Sequence, residues 1–186
     1  MRISLLERDS MTDPLTGVFN RRYMDLRLSE EIAKARRYRL PLCVLLLDID
    51  HFKQINDRHG HQTGDQVLVA LGKMVAPVLR ETDVVTRYGG EEFLIIAPHT
   101  PLSGAIDVAE RVRKRIESGD FGLPGEPGEM AGTSVTASIG VASFGEDMDD
   151  GEKLVRAADE NLYRAKQTGR NRVIGGTPGA TGIAAP

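Results

Sequence analysis

Cysteine is nearly absent: the 186-residue chain holds one, Cys43. A single cysteine closes no internal disulfide, so nothing calls for an oxidising compartment. Set within the apolar run at 42–47, it reads as a small buried hydrophobe. Long hydrophobic runs are missing as well. That run is six residues long, far short of the ~20 that a membrane helix needs. The first residues, MRISLLERDS, are charged throughout and do not resemble a secretory signal. A basic excess is lacking too. The net charge of -3 argues against a nucleic-acid-binding domain, although a basic pocket on an acidic surface stays open. No internal repeat is visible. What is present is 40% apolar residues over the length of one ordinary domain, enough for a packed core. The expectation is one soluble, cytoplasmic domain.

Residues 1–12 form a short amphipathic lead helix with Ile3 and Leu6 one turn apart. The stretch 20–39 is charged and free of Gly and Pro, as a helix would be, and Pro41 breaks it. The continuous apolar run at 42–47 fits a strand covered on both faces, ending at Asp48. Val67, Leu68, Leu71, Val75 and Val78 recur at helical spacing over 65–79, and Pro77 should kink or end that helix. Two short strands, 84–88 and 91–97, flank Gly89-Gly90, a hairpin signal in which both glycines can take positive φ. A helix over 103–118 follows, then a mobile Gly- and Pro-rich loop at 119–132. An alternating strand is expected at 133–143, a last helix at 152–167 and a short strand at 172–174. Residues 175–186 read as a flexible tail. That order predicts an α/β fold, a mixed central sheet with surrounding helices.

Three segments carry chemistry. Asp48 terminates a buried strand and Asp50 follows two residues later. Carboxylates at strand ends suit Mg²⁺, and Mg²⁺ goes with a phosphate-bearing substrate; alone, the two acids read more simply as ordinary loop residues. Glu91 and Glu92 stand together after the Gly-Gly turn. Their repulsion would be relieved by a cation, and the glycines let a phosphate or base approach the backbone; alone, a solvated hairpin tip is an equal reading. The segment 51–65, HFKQINDRHGHQTGD, lies between the strand and the next helix. Its amides could cradle phosphate, Lys53 supplies a cation, and Asn56 with Asp65 could pair the polar edge of guanine. His59 and His61 have no cysteine partner and no metal spacing, so zinc is disfavoured.

These segments are similar to the diguanylate cyclase family, named for a Gly-Gly-Asp/Glu-Glu-Phe signature, here GGEEF at 89–93. DPLTGVFNRR at 13–22, DIDHFKQINDRHGHQTGD at 48–65, RYGGEEF at 87–93, SIGVA at 138–142 and ADENLYRAKQTGRN at 158–171 all match in order and spacing. The resemblance covers about residues 10–174 and implies a catalytic domain at 13–174 with the nucleotidyl-cyclase or palm-like sandwich, built on a ferredoxin-like core. It implies that Asp48, the Ile49 carbonyl and Glu91 hold metal, with Glu92 at a second ion: Mg²⁺ or Mn²⁺, two per site. It implies Glu91, Glu92 and Lys53 as catalytic residues. His51, Phe52, Lys53, Asn56, His61 and Asp65 would bind substrate, with Asn56 and Asp65 on guanine and the amides around 51–53 on phosphate. Lys166 and Arg170 would reach the terminal phosphates. Glu91 in place of Asp is an accepted variant of the signature.

The same resemblance implies an inhibitory product site of the form Arg-x-x-Asp, met by Arg80 and Asp83, with Arg111 as a secondary arginine. A surface ion pair of little consequence is the alternative for Arg80 and Asp83. The implied reaction joins two GTP into cyclic di-GMP and releases two pyrophosphates, in a homodimer with one GTP per domain, restrained by its product. No nucleic acid and no membrane segment enter. The chain begins close to the first block, as expected of a lone or excised output domain. A catalytically weak GTP or cyclic di-GMP receptor, an adenylyl-type cyclase and a pure interaction module are the rival readings.

Overall fold

A computed structural model describes residues 11–123, 135–145, 148 and 150–176. The lead at 1–10, most of the Gly- and Pro-rich loop and the tail from 177 lie outside the described residues.

The apolar run becomes the central strand β2 (Leu42–Ile49), buried along its whole length. Strand residues alternate in direction, so a continuous apolar run needs a cover on each face. Cys43, Leu45, Leu47 and Ile49 pack on one side with Val67, Leu71, Val112 and Ile116. Val44 and Leu46 pack on the other with Met24, Leu28, Leu154 and Leu162. The covering helices are α1 (Arg21–Tyr38), α2 (Phe52–His59), α3 (His61–Val75), α4 (Leu102–Glu117) and α5 (Gly151–Gln167). The remaining strands are β1 (Phe19–Asn20), β3 (Val84–Gly89), β4 (Glu92–Pro98), β5 (Ala137–Ser143) and β6 (Val173–Gly176). The sheet runs β1-β3-β4-β2-β5-β6. Its four inner strands are antiparallel, and β1 and β6 add parallel edges. The succession β2, α2–α3, β3, β4, α4, β5 is the split β-α-β arrangement of a ferredoxin-like core.

Local chemistry sets the element ends. Asn20 caps α1 by accepting from the Tyr23 amide at 3.1 Å, and Arg39 closes it in the left-handed region. Asp150 caps α5 by accepting from the Lys153 amide at 3.0 Å. Helix α3 stops at Val75, and Pro77 falls in the 3-10 turn Ala76–Val78 that follows, as its missing N–H requires.

Four local expectations are corrected. The segment 51–65 is helical rather than a connection: Phe52 and Ile55, one turn apart, are buried in the core, and Gly60 at φ 84° separates α2 from α3. Only Gly90 of the glycine pair has positive φ, because β3 continues through Gly89 with a register shift opposite Glu92. Of the strand expected at 133–143, residues 133–134 lie outside the described residues, 135–136 are not strand, and the strand runs from Ala137. Gly175 and Gly176, expected in the tail, pair with Val141 and Ala142 as strand residues. The two-residue β1 has no periodicity from which to read it.

Candidate active site

Antiparallel pairing of the central strands builds the site. Asp48, near the end of β2, lies opposite Glu92 at the start of β4 and opposite Ser138 on β5. Glu91 stands in the turn before Glu92. Three carboxylates thus gather at one rim of the sheet, and Asp48 is only 6% exposed. Lys166 Nζ from α5 reaches Asp48 Oδ2 at 2.8 Å.

Burial pushes the Asp48 carboxyl above its ordinary range; the Lys166 hydrogen bond and charge oppose it, Asp50 adds to it, and Arg170 opposes it. Glu91 is raised by burial and then by the charge of Asp48. Glu92 is raised by burial, then by Asp48, with Asp159 and Glu91 adding to it against Lys166. These acids repel one another, and Lys166 relieves part of the repulsion. Among the described residues no three side chains close around a common metal point. The donors are nonetheless all oxygen and carry an excess of negative charge, which fits a hard divalent cation. Ile49, buried as the last residue of β2, adjoins them.

Immediately after the strand, His51 takes a left-handed conformation (φ 58°, ψ 27°) and opens α2 without a side-chain cap. The amides of Phe52 and Lys53 in that first turn have no intrahelical acceptor, and a helix N-terminus favours an anion. Phe52 is buried as an anchor, while the Lys53 side chain is exposed. One turn on, Asn56 Oδ1 is buried without a hydrogen-bond partner. An orphaned acceptor of that kind costs free energy unless something fills it. Asn56 rests on Gly64 of α3, where any added Cβ would collide with its side-chain amide. The same end of α3 carries His61 and Asp65, exposed and one turn apart on one face.

Lys166 lies in the last turn of α5, and Arg170 follows it at φ 59°. Lys166 is placed against Asp48 rather than facing open solvent. Asp50, flagged beside Asp48 as a possible ligand, is committed elsewhere. Its Oδ1 accepts from Ser138 Oγ at 2.7 Å, and its Oδ2 accepts from Thr136 Oγ1 at 2.8 Å and from the Asn171 amide at 3.0 Å.

Sequence reasoning did not assign a role to Arg87. Its Nε and Nη2 donate to the Gly90 carbonyl at 3.0 and 2.9 Å, and its Nη1 reaches Asp13 Oδ1 at 3.2 Å. Asp13 also accepts from the Thr16 amide and hydroxyl. Burial raises the Asp13 carboxyl, but the Thr16 bonds and then Arg87 bring it below its ordinary value. The clamp ties the glycine turn that aims Glu91 to the segment at 13–16. Both residues sit inside recognisable blocks, yet nothing in the one-dimensional chain pairs them.

On another part of the surface, the Asp83 amide donates to the Arg80 carbonyl at 3.0 Å. The Arg80 amide donates to Asp83 Oδ2 at 2.9 Å. The link is therefore a backbone turn rather than a guanidinium–carboxylate pair, and Asp83 Oδ1 is buried without a partner. Arg80 is exposed, as is Arg111 on α4, a helix that packs on the 3-10 turn just before Arg80.

The family model described as diguanylate cyclase, GGDEF domain, matches residues 10–172. The response regulator PleD of Caulobacter vibrioides is 43% identical over 166 residues, which span 89% of this chain and 36% of PleD. The chain therefore spans about a third of that relative's length. The coiled coil and GGDEF domain of DgcB from Caulobacter crescentus, solved in complex with c-di-GMP, superposes with a TM-score of 0.83 at 34% identity, covering 92% of this chain and 88% of that one. The active GGEEF domain of a diguanylate cyclase from Vibrio cholerae gives a TM-score of 0.75 at 35% identity, covering 84% and 96%. Among the described residues no helix is long and apolar enough to cross a membrane.

Proposed function

Because the chain belongs to the GGDEF-domain diguanylate cyclase family, we propose that it condenses two GTP into cyclic di-GMP and two pyrophosphates. The observation that carries this reading is the carboxylate rim: Asp48 opposite Glu92 and beside Glu91, with all three carboxyls pushed up.

In each half-reaction the 3′-oxygen of one GTP attacks the α-phosphorus of the other. An O–P bond forms, the bond to the β-phosphate bridge breaks, and pyrophosphate leaves. Glu91, whose raised carboxyl lies nearer to neutral pH than an ordinary glutamate, takes the hydroxyl proton. The Phe52 and Lys53 amides with the Lys53 ammonium hold phosphate, and Lys166 with Arg170 binds the terminal phosphates. Asn56 and Asp65 pair the guanine edge, beside His51 and His61. Asp48, the Ile49 carbonyl, Glu91 and Glu92 would hold two Mg²⁺ or Mn²⁺ ions, which when bound neutralise phosphate charge and acidify the attacking hydroxyl. One domain holds one GTP, so two copies meet face to face. Product bound at Arg80, Asp83 and Arg111 restrains turnover. GTP as substrate goes with a cytoplasmic location.

The test is incubation of the chain with GTP and Mg²⁺, products resolved by mass. Cyclic di-GMP and pyrophosphate in a one-to-two ratio are expected. GTP or cyclic di-GMP binding without turnover would favour the receptor reading instead.

A further inference from the structure

Asp50 is a buried carboxylate, 5% exposed, and the proposed chemistry gives it no task. It lies two residues beyond Asp48, just past the end of β2, and its charge bears on the Asp48 carboxyl. Its partners are the Thr136 and Ser138 hydroxyls and the backbone amide of Asn171. The last of these reaches across to the turn between α5 and β6.

That turn has an uncommon backbone. Arg170 and Asn171 are consecutive non-glycine residues at φ 59° and 45°. L-residues visit this region singly and reluctantly, so a consecutive pair persists only where its surroundings hold it. Asp50 holds it from the sheet side. From the other side, the Asn171 side chain is fixed within a closed triangle. Arg113 Nη1 donates to Asn171 Oδ1 at 2.8 Å, Asn171 Nδ2 donates to Glu117 Oε1 at 2.7 Å, and Arg113 Nη1 also donates to Glu117 Oε2 at 3.0 Å. Arg113 is anchored in turn by Glu110 at 2.9 Å. The residue immediately before this clamped position is Arg170.

We propose that Asp50 and Asn171 form a positioning unit that locks the left-handed Arg170–Asn171 turn between β2 and α4, and so aims Arg170 at the terminal phosphates of the nucleotide. This rests on the reading of Lys166 and Arg170 as phosphate ligands. On this account Asp50 acts by its geometry, as an acceptor of fixed N–H and O–H groups, and not by holding metal. Asparagine can reproduce that geometry: its Oδ1 keeps the Asn171 and Thr136 donors, and its Nδ2 donates to Ser138 Oγ, which can turn to accept. Alanine cannot.

The experiment titrates the chain calorimetrically, with Mg²⁺, against 3′-deoxy-GTP and 3′-deoxy-GMP, which lack the attacking hydroxyl and so bind without reacting. Asp50→Ala should weaken the triphosphate by about tenfold or more, the worth of a charge-assisted hydrogen bond, and leave the monophosphate within about twofold. Asp50→Asn should restore the triphosphate. Asn171→Gly keeps the left-handed backbone and deletes the side chain, so it should also lose triphosphate selectively; it carries the test if Asp50→Ala fails to fold. Asp50→Asn as weak as Asp50→Ala would make the charge the essential feature and overturn the proposal. So would Asp50→Ala or Asn171→Gly with an unchanged triphosphate-to-monophosphate ratio beside a wild type that discriminates. A wild type that binds both nucleotides equally overturns the phosphate reading of Arg170, and this inference with it.

Discussion

Glu92→Gln should make the metal-free domain more stable while removing its activity. Glu92 lies directly across the β2–β4 ladder from Asp48, and like charges placed opposite one another on a sheet are destabilising, by about 1 kcal/mol. Burial and the Asp48 charge raise Glu92 above its ordinary 4.5, and burial likewise raises Asp48 above 3.8. A carboxyl raised in the folded state binds protons more readily folded than unfolded. Its favourable contribution is therefore complete below the unfolded value and is lost as pH rises through the folded one. The metal-free wild type should accordingly lose stability as pH climbs from about 4.5, and the variant should lose less. For a domain of this size, about 1 kcal/mol corresponds to about 2–4 °C in Tm. The assay is thermal unfolding in chelator at pH 7.5 and at pH 4, then at pH 7.5 with Mg²⁺. The variant is expected to melt higher at pH 7.5, to converge with wild type at pH 4, and to gain less from Mg²⁺. A variant that melts lower than wild type at pH 7.5, or keeps its full advantage at pH 4, refutes the electrostatic account of the rim.

Glu91→Gln should abolish cyclic di-GMP formation and keep the far-ultraviolet circular dichroism and melting cooperativity of wild type; near-normal turnover would remove Glu91 from both the metal and base roles. Gly64→Ala should push the Asn56 amide aside and weaken GTP binding by about tenfold, the cost of a mismatched polar edge, read as lost thermal protection by GTP relative to ATP; ATP protecting the wild type as well as GTP does would reject guanine recognition. Rates should rise more steeply than linearly with protein concentration, and Arg80→Ala should relieve inhibition by added cyclic di-GMP. A constant rate per domain on dilution rejects the dimer, and unchanged inhibition rejects the Arg80 site.

What could be read in the chain followed from short-range rules. The run at 42–47 is apolar at every position, so it had to be a strand covered on both faces. Val67, Leu68, Leu71 and Val75 repeat with the helical period, and Pro77 ends them where its missing N–H must. Asp48, Glu91 and Glu92 were visible as acids at a strand end and a hairpin tip, because the strand and turn signals beside them are local. The segment at 51–65 misled for a local reason as well: its polar residues mask Phe52 and Ile55, whose burial makes it helical.

Pairing across the fold was not legible. Antiparallel register decides that Asp48 faces Glu92, and helix packing decides that Lys166 reaches Asp48. Asp50 and Asp48 look alike in sequence, two acids with one residue between them. Only the tertiary structure sets one against Lys166 among the carboxylates of the rim and surrounds the other with hydroxyl and amide donors. Arg87 and Asp13 are 74 positions apart in the chain and meet at 3.2 Å. Composition and periodicity are properties of neighbouring residues, so the sequence by itself determined the strongly patterned elements, most of the core and the kinds of side chain available. Which carboxylate meets which cation depends on strand order and register, and these are set by how distant segments bury one another.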